Sequence, residues 1–521
     1  MNNVTEAPDN PALEGARPTS VIWSRRRVFW LCFALTAVLY ANPDYWSWPE
    51  RRDPANWDYF SQVIARGGTP FKDVVNIKTP ASAYIGAAAI LVAKPFGLRD
   101  IYAIRNTYKL LAALTVALTF MVASRFSDSF RHGILAAIIL AGIQAFAILN
   151  ISGVQPKTPM ILFGLATLLA IMKDRPFTAG VFGMLSALSW QPGLLFVGVA
   201  GLGFSRYFTN WRDLKVARLL AGAALPLAVF LVYLVAAGAL RDFFLWCFHY
   251  PFTIYGPRDQ TTTQAFFDRL DLLLDENFAR DRAYFKLALG GLVFAVATEA
   301  WHAFKHGGKS LLQRAPRHQV IIAAIVYFVF CRIDMQGEQD LIPLLPFVAI
   351  LAAGLIIYLL DAVTSLLARR ESASRRGWTG KLSFAVVCAV LLGIGLSGLL
   401  SIRTPSIRLN DQMTDAVQVV SQLEPGDKMF VHGRTEMLVL SGFQNSSKYT
   451  NLDHGKDNYL DQVEPGGFAG WFDRLRTDAP KIVAISRTQN LDRKEDFLEW
   501  LSSDYEERTS GVFTYYVRKD H

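Results

Sequence analysis

The chain predicts an α-helical polytopic membrane protein with a small C-terminal α/β extracytoplasmic domain. Of its 521 residues 52% are hydrophobic and only 19% charged, and the charges gather in loops and in the last quarter. Apolar runs long enough to cross a bilayer recur between residues 28 and 402. After about residue 405 the pattern changes to short alternating and helical stretches.

The apolar runs lie near 28–45, 81–96, 107–124, 133–150, 157–172, 177–205, 215–239, 284–304, 318–333, 341–361 and 381–402. Pro192 divides the long run 177–205 into two short crossings if both halves span, so about 11 to 13 spans are expected. A charged segment before the first run reads as an uncleaved signal anchor, because no small-x-small cleavage pattern precedes Asn42. Residues 1–27 are then a cytoplasmic tail, 28–403 the membrane domain and 404–521 the soluble domain.

A net charge of +9 in a soluble protein would suggest a nucleic-acid partner. Here the basic residues occupy short loops: Arg25, Arg26 and Arg27; Arg206, Arg212 and Lys215; Lys305, Lys309, Arg314 and Arg317; Arg369, Arg370, Arg375, Arg376 and Lys381. By the positive-inside rule these loops are cytoplasmic, no nucleic acid is expected, and the C-terminal domain lies outside an inner (plasma) membrane. Strict alternation places 46–80, 240–283 and 334–340 outside as well. Two loops conflict with it: 125–132 with Arg125 and Arg131, and 173–176 with Lys173 and Arg175, fall outside despite their charge.

The first outer loop carries the most chemistry. In "NWDYFSQVIARGGTPFKDVVNIKTPASAYIG", residues 56–86, Tyr59 to Ile64 fits a short helix at the membrane surface, Gly67-Gly68 breaks it, and Pro80 opens the next apolar helix. Lys78 then sits just outside the bilayer, where an ammonium can meet a lipid phosphate; Asp58 faces the same interface. A carboxylate that takes a proton and a cation that holds a phosphate are the groups needed to move something from a lipid phosphate carrier to a hydroxyl. Asp73 reads as a substrate-binding group or, at least as readily, as a structural one that caps or pairs with Lys72 or Arg66.

Two more outer segments offer binding groups. "WCFHYPFTIYGPR", 246–258, holds His249, Tyr250 and Arg258 among aromatics suited to a sugar face or to the headgroup layer. "RIDMQGEQD", 332–340, holds Asp334, Gln336 and Glu338, read as hydroxyl-recognising groups or as an acidic turn. The four cysteines lie in or beside apolar segments without metal-ligand spacing. In the tail, helical patterns at 411–423, 436–441 and 494–503 alternate with strand-like 428–432, 481–485 and 512–518.

The first loop resembles that of the GT-C superfamily of membrane glycosyltransferases, and within it the protein O-mannosyltransferase and lipid A aminoarabinose transferase group that uses polyprenyl-phosphate sugars. The residues that carry the likeness are Asp58-Tyr59, Gly68-Thr69-Pro70-Phe71-Lys72-Asp73 and Lys78-Thr79-Pro80, with weaker matches at Phe96-Gly97, Arg105 and 341–346. The resemblance implies a polyprenyl-phosphate sugar donor and an inverting transfer to a lipid, glycan or protein hydroxyl. It casts Asp58 as base and Lys78, with Arg105 or Lys72, as phosphate-binding cations. Tyr59 stands where many relatives have Glu, so no two-carboxylate metal site is expected; no cofactor is implied, and a divalent cation stays an open alternative. A transporter or flippase is the rival class, but no internal repeat or mid-membrane charge supports it.

Overall fold

The computed structural model describes residues 24–42, 46–205, 214–255, 263–306, 315–333, 335, 337–367, 373–402 and 405–519. Helices dominate it. Arg25–Leu39, Asp100–Phe126, Phe130–Gly142, Lys157–Met172, Pro176–Ser189, Leu194–Ser205, Lys215–Ala236, Arg282–His306, Ala315–Ile333, Leu345–Leu367 and Ala373–Leu400 form one bundle. Phe130–Gly142 continues into Gln144–Ile151 across a 63° bend, and Gln191–Gly193 separates Pro176–Ser189 from Leu194–Ser205 at Pro192. Among the described residues five helices are long and apolar enough to cross a membrane, six if the bent pair counts as one. Arg282–His306 meets that test with only 11% of its apolar window buried. Val232, Val293 and Leu366 are likewise exposed. An apolar surface of this kind needs a covering such as lipid.

The two ends of the bundle differ. At one end the Arg25 guanidinium donates to the Ser124 carbonyl and lies 3.6 Å from Asp128. Lys173 and Arg125 are close enough to repel, and Lys215 pairs with Asp174 at 2.6 Å. Basic loops 125–132 and 173–176 therefore share the end that holds Arg25. The conflict with alternation has its source in run 81–96. This helix, Ala81–Ala93 with its short extension Lys94–Phe96, turns at Gly97 (φ +68°) and folds back along the following helix, so that Tyr108 Oη donates to the Ser82 carbonyl. At 1.5 Å per residue it spans about 24 Å, short of a roughly 30 Å hydrocarbon core. The next helix, Asp100–Phe126, makes the full passage from the loop end to the Arg25 end. The C-terminal domain packs at the end of the bundle opposite Arg25.

At the opposite end the first loop and the C-terminal domain pack together. Trp57, Tyr59, Phe60 and Val63 of the loop helix Arg52–Ala65 share one apolar cluster with Met437, Leu438 and Leu440. The domain carries four strands, β1 (Met429–His432), β2 (Ile482–Ile485), β3 (Tyr505–Ser510) and β4 (Phe513–Arg518), in the order β1-β2-β4-β3. β1 and β2 pair in parallel, Phe430 opposite Val483, and both are buried along their whole length, as fits their unbroken apolar sequence. β2–β4 and β3–β4 are antiparallel, the latter closed by the two-residue turn Gly511-Val512. β3 and the helices Lys456–Val463 and Gly467–Asp478 are additions to what the sequence pattern predicts.

Candidate active site

Local rules shape the first loop. The loop helix ends at Gly67 (φ +93°), and a side chain at Gly68 would lie 2.5 Å from Val63 Cγ1. Beyond it the chain ties a tight turn. Phe71, in left-handed conformation (φ +69°), donates from its N–H to the Val74 carbonyl, while Asp73 Oδ2 accepts from Thr69 N–H at 2.6 Å. The Phe71 ring packs edge-on against Phe60 and Phe243. Asp73 is thus the fastener of this turn, the structural of its two readings, and it does not line the cavity described below. Lys72 points away from the loop's interior and donates to the Ala237 carbonyl at 2.9 Å. After the turn, Val75 N–H donates to the Lys448 carbonyl of the C-terminal domain. Lys78 N–H then donates to Asn76 Oδ1, and Gln191 Nε2 to the Ile77 carbonyl, holding the backbone at Lys78 from both sides.

A cavity of about 390 Å³ opens beside this segment. The first loop contributes Arg51, Arg52, Asp53, Asn56, Trp57, Asn76 and Lys78; the turn before Leu345–Leu367 contributes Glu338 and Gln339; the C-terminal domain contributes Asn451, Asp453, His454, Lys456 and Arg487. Five cations, Arg51, Arg52, Lys78, Lys456 and Arg487, face three carboxylates, Asp53, Glu338 and Asp453. Such a wall favours an anionic guest. Lys456 donates to Asn451 Oδ1 at 3.1 Å. Burial, reinforced by Lys78 across the cavity and opposed by Asp453, pulls its ammonium down to about 8. Behind Asp453 lies His432, fully buried and pushed down to about 4 by desolvation; its Nε2 accepts from Leu452 N–H at 2.9 Å.

The sequence-predicted residues separate into those on this wall and those away from it. Lys78 and Glu338 line it. Asp58 does not: it is wholly buried, and its Oδ1 accepts from Val154 N–H at 2.7 Å. Gly153 lies so close that a Cβ there would sit 2.9 Å from Asp58 Oδ2. Desolvation and the nearby Glu50 hold its carboxyl well above the usual range, against the pull of Val154 N–H and Arg105. The reason is position along the helix. Asp53 lies in its exposed first turn, whereas Asp58 falls in the stretch from Trp57 to Val63, which is buried on every face. Asp53, in the first turn, is the carboxylate that reaches the cavity.

Arg105 is also away from the wall. It pairs with Glu50 at 2.9 Å and donates to the Trp48 carbonyl at 2.9 Å, both buried, while Gln412 grips the backbone of Glu50 from the C-terminal domain. His249 Nδ1 lies 2.8 Å from Tyr459 Oη, and Tyr250 Oη donates to the His454 carbonyl. Both dock the C-terminal domain onto the loop end of the bundle. Arg258, Asp334 and Gln336 lie outside the described residues.

Among the described residues, no three His, Cys, Asp or Glu side chains gather at metal-binding spacing. The residues sequence reasoning missed are Asp53, Arg51 and Arg52, and Asp453, Lys456 and Arg487. For the first three the signal is their place at the polar start of the loop helix, ahead of the buried stretch from Trp57 to Val63; for the last three, far along the chain, no local pattern exists.

At the level of sequence no family model and no curated protein matches the chain. Solved structures do. ArnT from Cupriavidus metallidurans bound to undecaprenyl phosphate superimposes with TM-score 0.61 at 14% identity, covering 93% of this chain and 97% of ArnT. The archaeal oligosaccharyltransferase AglB from Archaeoglobus fulgidus, in complex with an inhibitory peptide and a dolichol-phosphate, gives 0.55 at 12% identity over 96% of this chain and 75% of AglB. A further AglB structure is a complex with Zn and sulfate. The chain has the fold of the GT-C glycosyltransferases that its first loop resembles.

Proposed function

We propose that the protein is a membrane glycosyltransferase that moves a sugar from a polyprenyl-phosphate carrier to a hydroxyl of a lipid, glycan or protein on the extracytoplasmic face. The observation that carries this reading is the cation-rich cavity lined by both Asp53 and Lys78. The undecaprenyl phosphate and dolichol-phosphate held by ArnT and AglB support the choice of carrier. Eleven crossings, with the Arg25 end cytoplasmic and the C-terminal domain outside, agree with the collection of basic loops at one end of the bundle.

In the proposed step the acceptor oxygen attacks the anomeric carbon from the face opposite the phosphate. Asp53 takes the hydroxyl proton. The bond from anomeric carbon to phosphate oxygen breaks with its electron pair going to the phosphate, and the configuration inverts. Lys78 and Lys456 receive the charge that develops there, at the edge of hydrocarbon where a fixed cation is worth more than in water. The cavity lies at the membrane end of the first loop, so the carrier's phosphate can enter while its prenyl chain stays in the bilayer.

The experiment is reconstitution of the full chain with undecaprenyl-phosphate-linked hexoses and pentoses, following release of undecaprenyl phosphate. Turnover of at least one donor is expected. Absence of both turnover and binding across the panel would remove the reading.

A further inference from the structure

Trp190 stands at the break between Pro176–Ser189 and Leu194–Ser205, in extended conformation (φ −160°, ψ 134°) and only 4% exposed. Its surroundings are unusual for a buried tryptophan. Lys78 Nζ lies 5.4 Å from its ring centroid, and Lys157 Nζ lies 4.8 Å from the same ring. Lys157, 3% exposed at the start of Lys157–Met172, pairs with Asp340 at 2.9 Å. Asp340 is itself fixed: Oδ2 accepts from Gly337 N–H at 3.1 Å, and its carbonyl accepts from Tyr327 Oη at 2.7 Å. The residues just before it, Glu338 and Gln339, are cavity wall.

An ordinary core would fill this place with an aliphatic or aromatic side chain and keep ammonium groups out, since burying a charge is costly unless it is compensated. Here one ring meets two of them. Asp340 compensates Lys157, and the Lys157–Asp340 pair packs the indole in place. An aromatic ring attracts an ammonium through its quadrupole yet leaves the charge uncancelled. The neighbouring Gln191 already holds the backbone of Ile77. Backbone and side chain of the Ile77-Lys78 step are thus both gripped by consecutive residues of the helix break.

The geometry points to Trp190 as a positioning residue for Lys78: with the Lys157–Asp340 pair behind it, the indole aims the Lys78 ammonium at a phosphate oxyanion in the cavity. This rests on the reading of Lys78 as a phosphate-binding group. It also gives the broken helix a purpose, because an unbroken one would carry residue 190 past the loop. Trp190 acts through Lys78 and touches no substrate.

Full-length protein in lipid nanodiscs is titrated with undecaprenyl phosphate as wild type, K78A, W190F, W190L and K78A/W190L. W190L is expected to weaken binding by about 5- to 10-fold, the range of a partly desolvated cation–π contact. W190F, which retains a ring, should lose less than about 3-fold. In K78A/W190L the loss should equal that of K78A alone, since the indole has no ammonium left to aim. A general packing defect would instead multiply the two losses. Multiplied losses, or wild-type affinity in W190L, overturn the proposal. Should W190L fail to fold, W190F with K78A/W190F completes the same cycle on a smaller scale, and multiplied losses there overturn the proposal equally. Wild-type affinity in K78A sinks the phosphate site and this proposal together; impaired K78A with additive Trp190 effects sinks this proposal alone.

Discussion

Asp53 and Asp58 sit on one helix, less than two turns apart, and belong to different parts of the machine. Asp53 opens onto a cavity with five cations; Asp58 is sealed beneath Pro54 and Gly153, with Val154 N–H as its partner. The same division runs through the rest of the first loop. Lys78 is on the wall, while Asp73 and the Arg105–Glu50 pair hold the loop's shape and Lys72 turns outward to the Ala237 carbonyl. A carboxylate near a membrane is therefore not chemical by virtue of its neighbourhood. Position along the helix and burial decide whether it can meet a substrate.

The largest expected effect falls on Asp53. D53N keeps the side chain's size but cannot take a proton, so turnover should drop by about 10²- to 10⁴-fold with donor affinity nearly unchanged. D58N should differ sharply, because the amide oxygen still accepts from Val154 N–H and a neutral group suits a dry site. Its turnover should stay within about 3-fold of wild type at matched protein level. Transfer rates for the two variants, measured side by side, test the comparison; a reversed pattern would return the base to Asp58.

Next comes Arg105. R105M strands Glu50 in a dry site, which costs roughly 3–5 kcal/mol, whereas R105M/E50M removes both charges and should regain much of it. Thermal stability by fluorescence-detected size exclusion reads both variants. Unaltered stability in R105M together with lost donor binding would move Arg105 to the phosphate.

How much of this is readable in the sequence depends on range. Bilayer thickness and the periods of helix and strand are local constraints, so most helices of the bundle and strands β1, β2 and β4 can be read from residues alone. Lys78 can be read for the same reason: Pro80 starts a helix and leaves Lys78 at its mouth. Run 81–96 misleads because hydropathy counts apolar residues without saying which way the chain turns; Gly97 sends it back, and its short length is the one clue. Asp53 is hidden by motif alignment, which attends to residue order and not to which turn of the helix is buried. Lys456, Asp453 and Arg487 reach the wall only through docking of the C-terminal domain, which rests on contacts such as Tyr250 with His454 and Gln412 with Glu50. No window of sequence contains such pairs.

A smaller effect sharpens the contrast between chemical and structural lysines through pH. Lys456 has its ammonium at about 8 in the folded chain against an ordinary 10.5. Donor affinity should therefore fall by up to about 10-fold as pH rises through 8, the worth of one charge-assisted contact to phosphate. Stability moves the other way. Between pH 8 and 10.5 the unfolded chain binds more protons at this site, so unfolding becomes harder as pH rises across that interval. K456R keeps its charge and should abolish the step in affinity. A pH-independent affinity in wild type from about 7 to 10 would remove Lys456 from the phosphate site.

The smallest effect belongs to Lys72, which the sequence groups with Lys78 as a phosphate cation. Five residues separate them, but the turn held by Asp73 and Phe71 reverses the chain between them and sends Lys72 to the Ala237 carbonyl, beside Gly238 (φ +64°). Lys72 is exposed there, so its hydrogen bond competes with water and contributes little. K72M should leave stability within about 0.5 kcal/mol of wild type and undecaprenyl phosphate affinity within about 2-fold. K78A, in the same titration, should bind markedly more weakly. The comparison is sharp because both variants remove one positive charge from the same loop. A nonspecific electrostatic contribution to lipid phosphate binding would weaken both alike and grow as salt is lowered. A built site would weaken only K78A. Equal losses in the two variants would mean that the loop attracts the carrier by its charge alone and that the cavity is not where the phosphate rests.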